Sequence, residues 1–157
     1  MRFEQAVAIL RAFEQVEVRY VLIGSMAMAA QGLIRATQDV DLFIDPDPGN
    51  IERLKRALHA VFEDPSIDEI DATDLSGAYP VIRYGPPEGG FVIDLVARIG
   101  SAFGFEDIES EDLSIEGVRV RVATPLMLYR MKRDTVRPQD RVDAERLRET
   151  FGLSEDD

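Results

Sequence analysis

The chain has no cysteine and a single histidine in 157 residues. That removes disulfide frameworks, thiolate zinc sites and cysteine nucleophiles, and one histidine cannot build a histidine-rich centre. Any metal must sit on oxygen ligands. Long apolar runs are also absent. Nothing approaches the roughly 20 residues needed to span a bilayer, and the first 20 residues carry acids throughout instead of a basic start and an apolar centre. The expectation is a cytoplasmic protein with no membrane partner. Bases are scarce where acids are dense: residues 61–116 hold 14 acids against Arg83 and Arg98, which equals the whole net charge of −12. An extended nucleic acid is not expected across that acidic face, because phosphate contacts dominate such affinity. Residues 125–151 reverse the balance, with seven bases against five acids, so a polyanion would find its place there.

What remains is ordinary for a folded soluble chain: 45% apolar and 31% charged residues, in a length that suits one domain with a real core. No repeat, low-complexity tract or second domain interrupts it. The expected layout is a core over about 18–123 followed by a helical pair over about 124–151.

Periodicity gives the elements. Phe3, Ala6, Val7, Ile9, Leu10, Phe13 and Val16 predict an amphipathic helix over residues 2–16. Arg19 to Ile23 reads as a buried strand ending at Gly24-Ser25, with Ser25 as N-cap of a helix that stops near Gly32. A strand running through Gly-Ser into a helix offers backbone amides and a hydroxyl to a phosphate. Asp47-Pro48-Gly49-Asn50 reads as a turn and cap before a helix over 50–62. The acidic stretch 63–79 is loop-like, with a short strand expected near Ile67–Ile70. Val81 to Tyr84 and Phe91 to Ala97 predict a hairpin across a glycine- and proline-rich turn. After another acidic loop, Leu113 to Val122 predict a second hairpin or a bulged strand. Thr124-Pro125 opens a helix to about Arg133, and Pro138 opens a last one to about Phe151. His59 reads as structural or exposed, and Gly89-Gly90 as a turn, since no helix follows it.

The chemistry is concentrated at Asp39-Val40-Asp41. Side chains alternate along a strand, so Asp39 and Asp41 project from one face with Cα atoms roughly 7 Å apart, and Val40, Leu42 and Ile44 hold the other face down. Acids on such a strand need a reason. Asp-x-Asp alone is common on solvated strand ends; here thirteen residues separate it from Gly24-Ser25, and Asp94 sits within a later apolar strand. Two carboxylates on one strand and a third from a neighbour can hold a pair of hard divalent cations about 4 Å apart, the arrangement used in phosphoryl and nucleotidyl displacement.

Gly24-Ser25, then Arg35-Ala36-Thr37-Gln38-Asp39-Val40-Asp41-Leu42, then Asp94, resembles the signature of the DNA polymerase β-type nucleotidyltransferases. Within them, the Arg-x-Thr-x-Asp-x-Asp form, Leu128-Tyr129-Arg130-Met131-Lys132 and Arg137-Pro138-Gln139-Asp140-Arg141-Val142-Asp143 are similar to the AbiEii-like branch, which includes toxins of toxin–antitoxin systems. The resemblance runs from about residue 18 to 150. It departs from the small antitoxin-type enzymes, which carry an arginine soon after Gly-Ser where Met28 lies here.

The resemblance implies an α+β nucleotidyltransferase fold, with a small mixed sheet, flanking helices and a C-terminal helical pair. It implies a nucleoside triphosphate donor and two magnesium ions, or manganese, on Asp39, Asp41 and Asp94. Gly24, Ser25, Arg35, Thr37, Lys132 and Arg137 are the expected nucleotide contacts, and Lys132 joins the three aspartates as a catalytic candidate. Asp140 and Asp143 are expected to cap or salt-bridge their own helix. The acceptor stays open: an RNA end, a protein hydroxyl or a small hydroxylated molecule would each suit the chemistry, with an antitoxin or other protein as a further partner. Two other readings remain, a regulatory module binding nucleotide or a partner without turnover, and a calcium-binding or purely structural acidic domain.

Overall fold

The computed structural model describes residues 3–33, 39–77, 80–87, 90–99, 103–133, 135, 137–155 and 157. Helix α1 (Phe3–Gln15) buries Ala6, Val7, Ile9, Leu10, Ala12 and Phe13, the stripe its spacing predicts. Strand β1 (Tyr20–Ile23) is buried along its whole length and leads into α2 (Gly24–Ala30). Strand β2 (Asp39–Ile44) and helix α3 (Pro48–Val61) follow. Asp47 caps α3 by accepting from the Asn50 amide at 3.2 Å. Asn50 is itself fully buried. It accepts from the Arg19 amide at 2.7 Å and donates to the carbonyls of Arg19 and Asp45 at 3.0 and 2.8 Å. The start of α3 is thereby tied to the entry of β1 and the exit of β2, and no polar atom of that amide is wasted.

Strands β3 (Val81–Tyr84) and β4 (Val92–Val96) form the first hairpin. Strands β7 (Ser110–Ile115) and β8 (Val118–Ala123) form the second, turning at Glu116 and Gly117 with φ of 50° and 78°. Two successive left-handed residues match the twist of a tight two-residue hairpin, so this stretch is a hairpin and not a bulged strand. Helices α4 (Pro125–Lys132) and α5 (Pro138–Phe151) close the chain and pack on one another.

Six strands make one mixed sheet in the order β3-β4-β2-β1-β8-β7, with β2 parallel to β4 and β1 parallel to β8. Val40 pairs with Ile93 and Leu42 with Leu95 across the parallel strands, and all four are fully buried. They fix the register that presents the alternate residues on the opposite face.

Three expectations are corrected. Residues 67–70 are not a strand: Pro65–Glu69 is a 3-10 turn, started by the Asp64 carboxylate accepting from the Ser66 amide at 3.0 Å. Proline at its start and the Asp64 cap outweigh the β-branched residues. Ser25 is not the N-cap of α2. Ile23 takes that position with no side-chain cap, and Ser25 lies inside the first turn, because Gly24 at φ +71° bends the chain one residue earlier. The acidic loop after β4 contains a small two-stranded piece, β5 (Arg98–Ile99) with β6 (Phe103–Gly104), and a 3-10 turn at Phe105–Asp107.

Candidate active site

The register sets one row of residues across the sheet: Ile23 on β1 opposite Asp41 on β2, Asp41 opposite Asp94 on β4, and Asp94 opposite Arg83 on β3. Directly opposed residues share a face, so two carboxylates and a guanidinium stand side by side. Asp39 lies on the same face two residues before Asp41 and is partly exposed. Three of the expected site residues thus come together from segments more than 50 residues apart.

The Asp41 carboxyl is pushed up to about 6. Burial is the largest cause, followed by the negative charge of Asp94, a hydrogen bond shared with Asp94, and the charge of Asp39; the Lys132 ammonium pulls the other way. Two carboxyl groups pressed together in a half-buried place cannot both ionise cheaply, so Asp41 keeps its proton to a higher pH than an ordinary carboxyl does. The influence of Lys132 puts the end of α4 within electrostatic reach of the acid row.

Gly24 explains how Asp41 fits. A Cβ built on it would lie 2.2 Å from Asp41 Oδ2, and its φ of +71° is a left-handed conformation that L side chains avoid. The backbone approaches the carboxylate so closely that only glycine can occupy the position.

Lys132 is not a solvated helix lysine; its side chain is 12% exposed. Its ammonium donates to Asp143 Oδ2 at 3.0 Å and Asp140 Oδ1 at 3.3 Å. Asp143 is fully buried and also accepts from Gln139 Nε2 at 3.0 Å, while Asp140 accepts from the Thr135 hydroxyl at 2.9 Å. Asp140 and Asp143 therefore hold a lysine on α4 in addition to the expected pairings within α5, Asp140 with Arg137 and Asp143 with Gln139. Arg137 sits at the start of α5 with its side chain 79% exposed, 4.0 Å from Asp140. Arg35 and Thr37 lie outside the described residues.

Sequence reasoning missed Arg83 as part of the row. Its Nε donates to Asp94 Oδ1 at 3.0 Å and its Nη2 to Asp94 Oδ2 at 3.4 Å. The signal was present in the hairpin: pairing Tyr84 with Ile93 forces Arg83 opposite Asp94.

Whether these residues suit a metal rests on their donors. Asp41 and Asp94 supply only oxygen and face each other within hydrogen-bond reach, an arrangement that hinders the ionisation of Asp41. That donor set fits a hard divalent ion such as magnesium or manganese. Among the described residues, however, no three acidic or imidazole groups already stand close enough to form a metal cage. Asp39, whose charge already acts on Asp41, is the candidate for a third ligand.

A mixed sheet carrying Gly-Ser at the end of one strand and three acids on the next two defines a nucleotidyltransferase fold. The chain belongs to the AbiEii nucleotidyltransferase family: the model of the nucleotidyl transferase AbiEii toxin of type IV toxin–antitoxin systems matches residues 8–151. Among curated proteins no sequence relative matches. Solved structures share the fold at low identity. The lincosamide adenylyltransferase LnuA, with lincomycin bound, is 14% identical with a TM-score of 0.63, covering 94% of this chain and 97% of its own. A candidate nucleotidyltransferase of Thermotoga maritima is 15% identical with a TM-score of 0.60, covering 95% and 91%. ANT(2")-Ia, in complex with adenylyl-2"-tobramycin, is 15% identical with a TM-score of 0.57, covering 98% and 90%.

Proposed function

We propose that this protein is a divalent-metal-dependent nucleotidyltransferase moving a nucleoside monophosphate from a nucleoside triphosphate to a hydroxyl acceptor. The observation that carries the reading is the Asp41–Asp94 pair, two carboxyls held face to face by parallel strands at the cost of hindering the ionisation of Asp41. A fold gains no stability from that arrangement, and a bound cation would relieve it.

Asp39, Asp41 and Asp94 would hold two magnesium or manganese ions, which when bound supply positive charge to the triphosphate and lower the barrier to displacement at the α-phosphorus. Gly24 lets Asp41 approach the phosphate-binding turn, and Ser25 and the backbone amides beside it support the β- and γ-phosphates. Asp94 orients the acceptor hydroxyl and takes its proton as the new oxygen–phosphorus bond forms and the bond to pyrophosphate breaks. Lys132 serves the leaving pyrophosphate. An ammonium has three donors; two are fixed by Asp140 and Asp143, and the third has no hydrogen-bond acceptor among the described residues. Held this way, the charge needs little reorganisation when the leaving group develops its own. Arg137, exposed at the start of α5, would keep with Arg35 and Thr37 the triphosphate role that the motif implies.

The acceptor hydroxyl stays open among an RNA end, a protein and a small molecule, the last being the class that the antibiotic adenylyltransferases of the same fold act on. The test is incubation with each α-labelled nucleoside triphosphate, magnesium or manganese, and a panel covering all three classes, beside Asp41→Asn. Label moving to one acceptor only with metal and only in the wild type supports the reading. Absence of transfer to any acceptor, together with nucleotide binding that ignores chelator, overturns it.

A further inference from the structure

We infer that Arg83 is an internal counter-ion that occupies Asp94 in place of a divalent cation and couples entry of the ion to arrival of the nucleotide. The inference rests on the metal-dependent reading above.

Both oxygens of Asp94 accept from one guanidinium, at 3.0 and 3.4 Å, from the residue directly opposite on the edge strand. The charges of Asp39 and Asp41 also act on that guanidinium. Arg83 is one of two bases among the 14 acids of residues 61–116, and it stands on the acid row itself. Its +1 charge partly neutralises a face built for +2 or more.

The two partners differ in freedom. Asp94 is held in the sheet with its side chain 16% exposed, whereas that of Arg83 is 67% exposed. A cation claiming the Asp94 oxygens therefore displaces the arginine, not the aspartate. Once released, the guanidinium remains tethered at the rim of the acid face, where a triphosphate enters. Phosphate oxygens offer it a two-point partner that replaces the carboxylate it gave up. Free metal ion must compete with Arg83 without that compensation, and a metal–nucleotide complex brings both replacements together. The result is a coupling between metal and nucleotide affinities that operates in both directions.

The test is titration of nucleotide-free protein with manganese, followed by calorimetry and by melting temperature, for wild type, Arg83→Gln, Arg83→Lys and Asp41→Asn. An exposed ion pair is worth up to about 1 kcal/mol, or about fivefold. Arg83→Gln is expected to bind manganese up to about fivefold tighter than wild type, with a larger melting shift at equal manganese, and Arg83→Lys to fall between. Addition of a non-hydrolysable triphosphate should raise manganese affinity less in Arg83→Gln than in wild type. Unchanged or weaker manganese binding by Arg83→Gln overturns the inference while leaving the metal reading intact, provided wild type binds and Asp41→Asn does not. Failure of wild type and both Arg83 variants to bind manganese overturns both.

Discussion

Replacing Asp41 by asparagine keeps its shape and removes its charge, and the consequence for stability depends on pH in a way the structure fixes. In the folded metal-free protein the Asp41 carboxyl titrates at about 6, against an ordinary 3.8. A raised pKa means the native state holds the proton more tightly than the unfolded chain. This contribution is complete below pH 3.8 and is lost as the pH rises through about 6. The shift is about 2 units, worth at most about 3 kcal/mol at 1.36 kcal/mol per unit. Asp41 is only partly buried, so solvent screening reduces this to about 1–2 kcal/mol. An asparagine side chain in its place cannot titrate and escapes the loss. In chelator, the stability of Asp41→Asn relative to wild type should therefore rise by about 1–2 kcal/mol between about pH 4.5 and pH 8, or about 3–6 °C in melting temperature for a chain of this size. Comparing two pH values cancels any pH-independent cost of fitting the amide. Urea unfolding at both pH values, with manganese replacing chelator as a further arm, makes the measurement. A difference that stays constant with pH, or one that moves against the variant, would refute the account of the acid pair.

Gly24→Ala combines a left-handed backbone with a methyl group 2.2 Å from Asp41 Oδ2; it should cost about 2–5 kcal/mol in urea unfolding and abolish transfer by shifting the carboxylate. Lys132→Ala takes the ammonium away from the fully buried Asp143 and should cost about 3–5 kcal/mol, and the folded fraction should transfer nucleotide about 100- to 1,000-fold more slowly. Asp143→Ala should cost a similar amount of stability, and the double variant distinctly less than the sum, which a double-mutant cycle reads directly. Thr124→Ala removes the hydroxyl that accepts from the Met127 amide at 3.2 Å and should lower stability in urea unfolding by about 1 kcal/mol, the cost of losing the N-cap of the helix that carries Lys132.

Local signals in the sequence determined the elements and most of the residues brought to the site. The apolar stripe of α1, the Thr124-Pro125 start of α4, the Pro138 start of α5 and the alternation of β2 are properties of short windows, and each could be read from neighbouring residues alone. The same holds for Asp39 and Asp41 sharing a face, because strand geometry guarantees it. Where local signals compete, reading failed: Pro65 and Asp64 made a 3-10 turn of a stretch whose isoleucines suggested a strand, and the left-handed Gly24 placed Ser25 inside the helix it was expected to cap. Tertiary structure alone decided who meets whom. The parallel pairing of β2 with β4 put Asp41 opposite Asp94 and pushed the Asp41 carboxyl up, since burial and like charge act only once the strands lie side by side. The same register brought Arg83 onto the acid row from an edge strand, and the packing of α5 on α4 turned Asp140 and Asp143 from helix residues into the clamp on Lys132. These relations depend on sequence separations of 8 to more than 50 residues, over which neither periodicity nor propensity carries information, and on a register that only the fully buried Val40, Leu42, Ile93 and Leu95 could set.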